Sequence, residues 1–264
     1  MKKLAPFFLV LVLIACNNGG EEPKPDIPPV KRPNIMSYSV LAAYPHDTSS
    51  YTQGLIVYKG QLYEGTGNYG VSRLRRVDLK TGKALQDLAL DPKYFGEGIT
   101  ILRDTIYQLT YKEGKVFVYT LKDFKKIKEY DVEFEGWGLT NDGTNLIVSA
   151  GGTNELLYYK PEGFTLLRRQ SITEAGMPAE NLNELEYIDG FIYANQYQTT
   201  YILKINPNSG EVVAKTDIND LLIRSKSRNN NLDYANGIAY DTATKKVYIT
   251  GKWWPELYEV QFGQ

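Results

Sequence analysis

The sequence is poor in cysteine and histidine. Its 264 residues include one cysteine, Cys16, and one histidine, His46. A single cysteine cannot form an intramolecular disulfide, and a single histidine cannot build a histidine-rich catalytic zinc site. A catalytic triad would have only His46 as its base, and a structural or rim position is the better interpretation of that residue. We therefore predict no disulfide and no catalytic metal.

Nucleotide-binding motifs and an excess of positive charge are also missing. No GxGxxG segment leads from a strand into a helix, and no P-loop occurs. The formal net charge is -1, whereas proteins that bind nucleic acids carry clustered basic residues. We therefore expect no cofactor for catalysis and no nucleic-acid partner.

The apolar run at the N-terminus is too short to cross a bilayer comfortably. It follows two lysines and ends at Cys16, which is the layout of an export signal. The tetrad Leu13-Ile14-Ala15-Cys16 resembles a bacterial lipobox, whose cysteine is acylated and begins the mature protein. We expect a signal peptide over residues 1–15 and lipidation at Cys16. The alternative is an ordinary signal peptide with an incidental cysteine.

The segment after Cys16 offers little to bury. Residues 16–34 are rich in proline, glycine and charge, as in a flexible tether. The folded domain is expected over residues 35–264, as a monomer. Acyl chains would anchor this domain to a membrane without inserting it, so the predicted location is the bacterial cell envelope, on the periplasmic or outer-membrane side.

The rest of the chain repeats one pattern five times, as in QGLIVYKGQLYEGTG and EGITILRDTIYQLTY. Each repeat is a predicted hairpin, and a second hairpin follows it before the next repeat begins. Four strands per unit at a spacing of about 40 to 50 residues predict an all-β, five-bladed β-propeller. The spare strand at residues 36–44 would complete the last blade. A β-sandwich is the alternative, and missing helical segments disfavour a TIM barrel.

One end of the repeat is polar in every blade. The first strand of each blade lines the channel, and the second strand returns antiparallel beside it. The start of the first strand and the end of the second strand therefore lie at the same rim of the channel. The starts are Gln53, Glu97, Trp137, Asn183 with Glu186, and Asn236; the facing ends are Glu64, Gln108, Ser149, Asn195 and Lys252. Aromatic residues lie nearby, namely Tyr51, Phe95, Tyr111, Tyr197 and Trp253. Unlike residues at equivalent positions favour a composite binding site, while a merely solvated channel is the alternative.

Several ordered motifs within residues 44–262 carry a family resemblance. YTQGL, YFGEGITIL, GWGLTNDG, LNELEYIDGFIYAN and TGKWWPELYEV together resemble the plant-type glutaminyl-peptide cyclotransferases and their bacterial relatives. The resemblance implies a five-bladed propeller that converts the N-terminal glutamine of peptides or proteins to pyroglutamate, without catalytic zinc. A structural calcium ion is compatible with it but does not follow from the residues.

The resemblance also implies roles for the rim residues. Glu97, in the motif FGEG, is the family's proton shuttle, and Lys252 is the strongest candidate for stabilising negative charge on the substrate oxygen. Binding of the substrate is expected from Tyr51, Gln53, Phe95, Gln108, Tyr111, Trp137, Asn183, Glu186, Asn195 and Tyr197.

Three departures from the family pattern accompany these matches. Tyr111 and Tyr197 stand where the family usually has tryptophan, and Ala150 stands where it has a carboxylate. If they abolish turnover, the chain would be a propeller that binds peptides without cyclising them. A calcium-dependent lactonase or hydrolase is a third possibility, because Glu97, Asn183, Glu186 and Asn195 offer oxygen ligands.

Overall fold

The structure is a computed structural model, and it describes residues 31–263. The predicted signal peptide, Cys16 and most of the predicted tether lie outside the described residues. Asn34, at the end of that tether, already belongs to a short strand β1 (Asn34–Ile35). No helix of the described part is both long and apolar enough to cross a membrane.

Five sheets form the five blades; four of them have four strands, and one has β1 as a fifth strand at its edge. Strand β2 (Tyr38–Pro45) precedes them. Blade 1 comprises β3 (Thr52–Tyr58), β4 (Gln61–Thr66), β5 (Arg73–Val77) and β6 (Ala84–Ala89). Blade 2 comprises β7 (Gly96–Leu102), β8 (Thr105–Thr110), β9 (Lys115–Thr120) and β10 (Lys126–Asp131). Blade 3 comprises β11 (Gly136–Asn141), β12 (Leu146–Ala150), β13 (Glu155–Lys160) and β14 (Thr165–Ser171), with a short 3-10 turn at Glu162–Phe164.

The last two blades are each preceded by an element that the repeat does not contain. A small hairpin of β15 (Thr173–Glu174) and β16 (Met177–Pro178) precedes blade 4, which comprises β17 (Leu182–Ile188), β18 (Phe191–Gln196), β19 (Tyr201–Ile205) and β20 (Val212–Asp217). Helix α1 (Asn219–Lys226) leads to blade 5, which comprises β21 (Ala235–Asp241), β22 (Lys246–Gly251) and β23 (Glu256–Phe262). The short β1 pairs in parallel with β20 at the outside of blade 4.

Closure of the ring follows the sequence prediction. Strand β2 pairs antiparallel with β23, from Tyr38 opposite Phe262 to Pro45 opposite Glu256. Strand β2 is therefore the fourth strand of blade 5, and it covers an edge that would otherwise be open to another chain. The prediction of an all-β, five-bladed propeller is confirmed.

The core lies between neighbouring blades. One cluster joins Leu109 of blade 2 to Leu139 and Leu146 of blade 3, and each of these side chains is essentially inaccessible to solvent. Burying such side chains supplies the main driving force for folding, because apolar surface leaves water. Since a blade buries its faces only against its neighbours, the rim residues rest on a packed ring.

The centre of the ring is closed by backbone and by one carboxylate. In blade 2 the inner strand approaches blade 3 so closely that a Cβ at Gly98 would lie 2.6 Å from the backbone nitrogen of Leu139. Blade 4 has Glu184 at the position equivalent to this glycine. The Glu184 carboxylate accepts hydrogen bonds from the backbone N–H groups of Leu55, at 3.1 Å, and Ile238, at 2.8 Å. It thereby ties three blades together.

Candidate active site

Every inner strand begins with an irregularity in its pairing with the next strand. The register shifts between Thr52 and Gly54, Gly96 and Ile99, Gly136 and Leu139, Leu182 and Leu185, and Ala235 and Ile238. A β-bulge of this kind inserts an extra residue and re-aims its side chain. The first residues within the five bulges are Gln53, Glu97, Trp137, Asn183 and Asn236. The bulges therefore turn the five unlike side chains of the repeat towards one mouth of the propeller.

A small cavity lies at this mouth. Its volume is about 210 Å³, which suits one amino-acid residue better than a large ligand. The lining residues are Tyr51, Gln53, Phe95, Glu97, Tyr111, Trp137, Asn183, Tyr197 and Lys252. The structure thus brings together nine of the residues that the sequence singled out.

Glu97 is the buried carboxyl group of the cavity, and only 3% of the residue is exposed. One oxygen, Oε1, accepts a hydrogen bond of 3.2 Å from Gln53 Nε2, while Oε2 has no partner among the described residues. Burial raises the pKa of Glu97 well above its usual value; Lys252 opposes this, and Glu113 and Glu135 add to it. A carboxyl group with a raised pKa and a free oxygen is suited to accept a proton and return it.

Lys252 is the cation of the cavity. Its Nζ lies 4.7 Å from the ring centroid of Tyr51 and 4.9 Å from that of Tyr197. Burial lowers the pKa of Lys252, against the opposing effects of Glu97 and Asp233. Within residues 31–263 its ammonium group forms neither a hydrogen bond nor an ion pair, so its donors are available to a bound molecule.

The amide of Gln53 is oriented by a chain of hydrogen bonds. Asn236 Nδ2 donates to Gln53 Oε1, at 3.0 Å, and to the backbone oxygen of Thr52, also at 3.0 Å. With its oxygen occupied, Gln53 presents its Nε2 to Glu97. Asn236 is one of the predicted rim residues, but it acts through Gln53 and does not line the cavity.

Asn183 offers a second amide to the cavity. Its Oδ1 is buried and finds no hydrogen-bond partner among residues 31–263. Its backbone is held firmly, because its carbonyl oxygen accepts a 2.7 Å hydrogen bond from the Ser149 hydroxyl. A buried amide oxygen without a partner carries a substantial energetic cost, and a polar group of a bound substrate would remove that cost.

Aromatic rings form the walls. The ring centroids of Phe95 and Tyr111 are 5.6 Å apart, and those of Trp137 and Tyr197 are 5.5 Å apart. Tyr51 packs edge-to-face on Phe95 at 6.3 Å, and its hydroxyl donates to Asp233 at 2.9 Å. These contacts fix the ring positions and surround the polar groups with apolar surface.

Three residues predicted to bind substrate lie outside the cavity lining. Glu186 lies furthest from it, because it follows Asn183 by three residues in β17 and is therefore about 10 Å further along the strand. Its carboxylate accepts a hydrogen bond of 2.8 Å from the backbone N–H of Tyr240. It lines a cavity at the other end of the inner strands, together with Thr140 and Lys59.

Gln108 and Asn195 lie on second strands, beneath the bulges. Asn195 Oδ1 accepts a 2.9 Å hydrogen bond from the backbone N–H of Gly237. Gln108 Oε1 accepts one of 3.3 Å from the Tyr119 hydroxyl. Asn195 therefore supports the bulge of blade 5, whereas Gln108 is bound to β9, and neither residue lines the cavity.

His46 occupies a structural position. Its Nε2 lies 3.0 Å from Glu64 Oε1 and its Nδ1 lies 2.7 Å from the carbonyl oxygen of Trp254. Glu64 also accepts a hydrogen bond of 2.8 Å from the Thr52 hydroxyl. This buried pair links the start of β3 to the segment that follows Lys252, and it lies behind the cavity.

No group of three or more His, Cys, Asp or Glu residues in the described part of the chain is arranged to hold a metal ion. The oxygen ligands that suggested a calcium-dependent hydrolase are separated, since Glu186 lies at the opposite end of the inner strands from Glu97. The arrangement instead combines one carboxyl group, one ammonium group and two amides within an aromatic enclosure.

Comparison with known proteins agrees with this arrangement. The family profile described as glutamine cyclotransferase matches residues 8–262. A glutaminyl-peptide cyclotransferase of Arabidopsis thaliana is 36% identical over 236 residues, which cover 87% of this chain and 72% of the plant protein. The crystal structure of Myxococcus xanthus glutaminyl cyclase superimposes with a TM-score of 0.82 at 32% identity, covering 87% of this chain and 98% of the other. The chain therefore belongs to the glutamine cyclotransferase family.

Proposed function

We propose that Glu97 carries both proton transfers in the reaction of this family, in which an N-terminal glutaminyl residue becomes pyroglutamate and ammonia is released. The observation that carries the proposal is a single buried carboxyl group with one free oxygen in a cavity of one-residue size. The substrate is the N-terminus of a peptide or protein.

The reaction needs a proton removed at one nitrogen and supplied at another. The α-amine of the substrate attacks the δ-carbon of its own side-chain amide, which forms the ring N–C bond. Glu97 takes the proton that the attacking nitrogen loses. It then gives a proton to the amide nitrogen, the C–N bond to that nitrogen breaks, and ammonia departs. Glu97 ends in its starting state, as a catalyst must.

Negative charge develops on the former amide oxygen during the attack. Lys252 is the unpaired cation beside Glu97, and we assign it to stabilise this oxygen electrostatically. Gln53 Nε2 and the Asn183 side chain hold the substrate amide. Their contribution depends on fixed orientation, which the hydrogen bond from Asn236 supplies for Gln53.

The aromatic walls favour the compact conformer that cyclisation requires. An extended glutamine side chain does not bring its amine to its own δ-carbon, whereas a coiled one does. Phe95, Tyr111, Trp137 and Tyr197 enclose a space of about 210 Å³ and exclude longer conformers. Tyr111 and Tyr197 keep ring faces where the family usually has tryptophan, so the enclosure persists despite the substitutions.

Replacing Glu97 tests the assignment. Ammonia release from the dipeptide Gln-Ala is measured for the wild type and for Glu97→Gln, with Glu186→Gln as the matched control. The control makes the same change to another buried carboxyl group of an inner strand, at the opposite end. General acid–base catalysis contributes about 10² to 10⁴-fold, so we expect a loss of kcat of that size in Glu97→Gln only.

Two outcomes would overturn the proposal. Turnover by Glu97→Gln within about threefold of the wild type, far inside the range expected for a proton shuttle, would remove Glu97 from that role. Binding of Gln-Ala by the wild type without ammonia release would make the chain a binding protein. Addition of a chelator should leave the wild-type rate unchanged.

We also propose that the chain is a lipoprotein of the bacterial cell envelope, anchored through acylated Cys16. The support is the lipobox-like tetrad at residues 13–16 and the tether-like composition that follows it. Expression with a labelled fatty acid tests this, and label should enter the wild type but not Cys16→Ala. Equal release of both proteins in soluble form would contradict the anchor.

A further inference from the structure

A second cavity lies beside the catalytic cavity. Its volume is about 750 Å³, and we call it the blade 3 groove. The connection between β10 and β11 forms one side, and the outer strands of blade 3 form the other. The lining residues include Asp131, Glu133, Glu135, Gly151, Glu155, Leu157, Tyr159, Phe164 and Arg169.

The two cavities share a border at Trp137. A Cβ placed on Gly151 would lie 2.6 Å from Trp137 Nε1 and 2.8 Å from Glu135 Oε2. Trp137 lines the catalytic cavity, and Glu135 lines the groove. Because both atoms crowd the same point beside Gly151, the indole edge and the Glu135 carboxylate are close neighbours. A chain leaving the catalytic cavity over Trp137 therefore enters the groove.

The groove combines an apolar floor with acidic walls. Leu157, Tyr159 and Phe164 are buried beneath it. Four carboxylates line it, and the lining contains one cation, Arg169, which pairs with Glu155 at 3.2 Å.

Two lysines outside the lining also reach these carboxylates. Lys112 lies 3.5 Å from Glu135, and Lys115 lies 2.6 Å from Asp131. Lys112, Glu135 and Asp131 are substantially exposed, and ion pairs of exposed side chains contribute little. Glu133 is exposed and has no ion pair or hydrogen bond within residues 31–263. A cationic side chain in the groove therefore meets at least one free carboxylate.

Two other carboxylates near the mouth already accept hydrogen bonds. Glu113 accepts hydrogen bonds from the Tyr69 hydroxyl, at 2.7 Å, and from the backbone N–H of Phe95, at 3.3 Å. Asp233 accepts the hydroxyl of Tyr51. These carboxylates stabilise the walls, whereas Glu133 in the groove has no such contact within residues 31–263.

We propose that the blade 3 groove binds the residues that follow the N-terminal glutamine of the substrate and favours lysine or arginine there. The inference rests on the proposed function, since the glutaminyl residue must occupy the catalytic cavity. An extended chain advances about 3.3 Å per residue, so the third and fourth residues of the substrate lie beyond Trp137. Their cationic groups would face Glu133, and their aliphatic stems would cover the apolar floor.

Two peptides of opposite charge test the proposal. The values of kcat/KM are compared for Gln-Ala-Lys-Lys-Ala amide and Gln-Ala-Glu-Glu-Ala amide at low ionic strength. For the wild type we expect about a tenfold preference for the lysine peptide, which declines as salt is added. In Glu133→Lys the preference should fall to about twofold or reverse. Because the readout is a ratio between two peptides, a general loss of activity cancels.

The matched control is Asp189→Lys. It makes the same kind of charge reversal at a residue that is 65% exposed, in the β17–β18 turn at the opposite end of the inner strands, and it should keep the tenfold preference of the wild type. Equal kcat/KM values for the two peptides in the wild type, or an unchanged preference in Glu133→Lys, would overturn the inference. The dipeptide Gln-Ala separates the two proposals, because failure to turn it over would refute the proposed function itself.

Discussion

Glu186 is expected to make the stability of this propeller depend on pH. It is a buried carboxyl group at the far end of the inner strands, with 5% of its surface exposed. Burial raises its pKa to about 8, although hydrogen bonds from Tyr240 and Thr140 oppose the change. In the unfolded chain an ordinary glutamate titrates near pH 4.3. The folded state therefore binds this proton more tightly than the unfolded state does.

The sign of the pH dependence follows from this difference in pKa between the folded and unfolded states. The contribution of Glu186 to stability is fully present below about pH 4, where both states are protonated. It is lost progressively as the pH rises to about 8, because the unfolded chain loses the proton first. Integrated from pH 5 to pH 9, the loss amounts to about 4 kcal/mol. For a domain of this size that corresponds to a decrease in Tm of roughly 8 to 16 °C.

The substitution Glu186→Gln should remove this dependence. Glutamine resembles the protonated carboxyl group, since its oxygen can accept the Tyr240 N–H and its amide can donate to Thr140. Thermal and urea unfolding are measured from pH 5 to pH 9, with Glu162→Gln as a control at a residue whose side chain is 62% exposed. We expect the variant and the wild type to be similar at pH 5, and the variant to be more stable by about 4 kcal/mol at pH 9. Parallel stability curves, with a constant difference at every pH, would refute the reasoning.

Two further predictions concern the catalytic cavity. Lys252→Gln removes the charge that opposes the raised pKa of Glu97, so the acidic limb of kcat/KM against pH should move to higher pH while the maximum falls about 10²-fold. An unmoved limb in the pH–rate profile would contradict this coupling. Asn236→Asp keeps the shape of the side chain but removes the donor to Gln53, and kcat/KM should fall about tenfold. Steady-state kinetics with Gln-Ala checks it, and wild-type kcat/KM in this variant would show that the donated hydrogen bond is dispensable.

The architecture could be predicted because the repeat is visible in the sequence. Turns such as Asp189–Gly190, where both residues have positive φ angles, mark the inner hairpins by residue type. The spare strand at residues 36–44 could be assigned to blade 5 since one strand was missing there. The first inference depends on the residue types of the turns, and the second depends on the number of strands in each blade. Both can be read from the sequence without knowing how the strands pair.

The placement of single side chains is harder to predict, as Glu184 illustrates. Side chains alternate along a regular strand, but the bulge between Leu182 and Leu185 shifts that alternation by one residue. Asn183 therefore faces the mouth, Glu184 points to the centre, Leu185 enters the core and Glu186 again faces the channel. A bulge leaves no reliable signal in one sequence, because it depends on pairing with another strand.

The same bulges explain how a symmetric fold builds an asymmetric site. If the inner strands began regularly, the first residue of each would pair with the second strand, and its side chain would be confined by that pairing. The extra residue in each bulge does not pair with the neighbouring strand. Strand pairing therefore does not restrict which side chain can occupy that position. Glu97, Gln53 and Asn183 could therefore differ without disturbing the packing of Ile99, Leu55 and Leu185 behind them. Residues two positions apart in one strand therefore serve catalysis and packing separately, and a substitution at one position need not disturb the other.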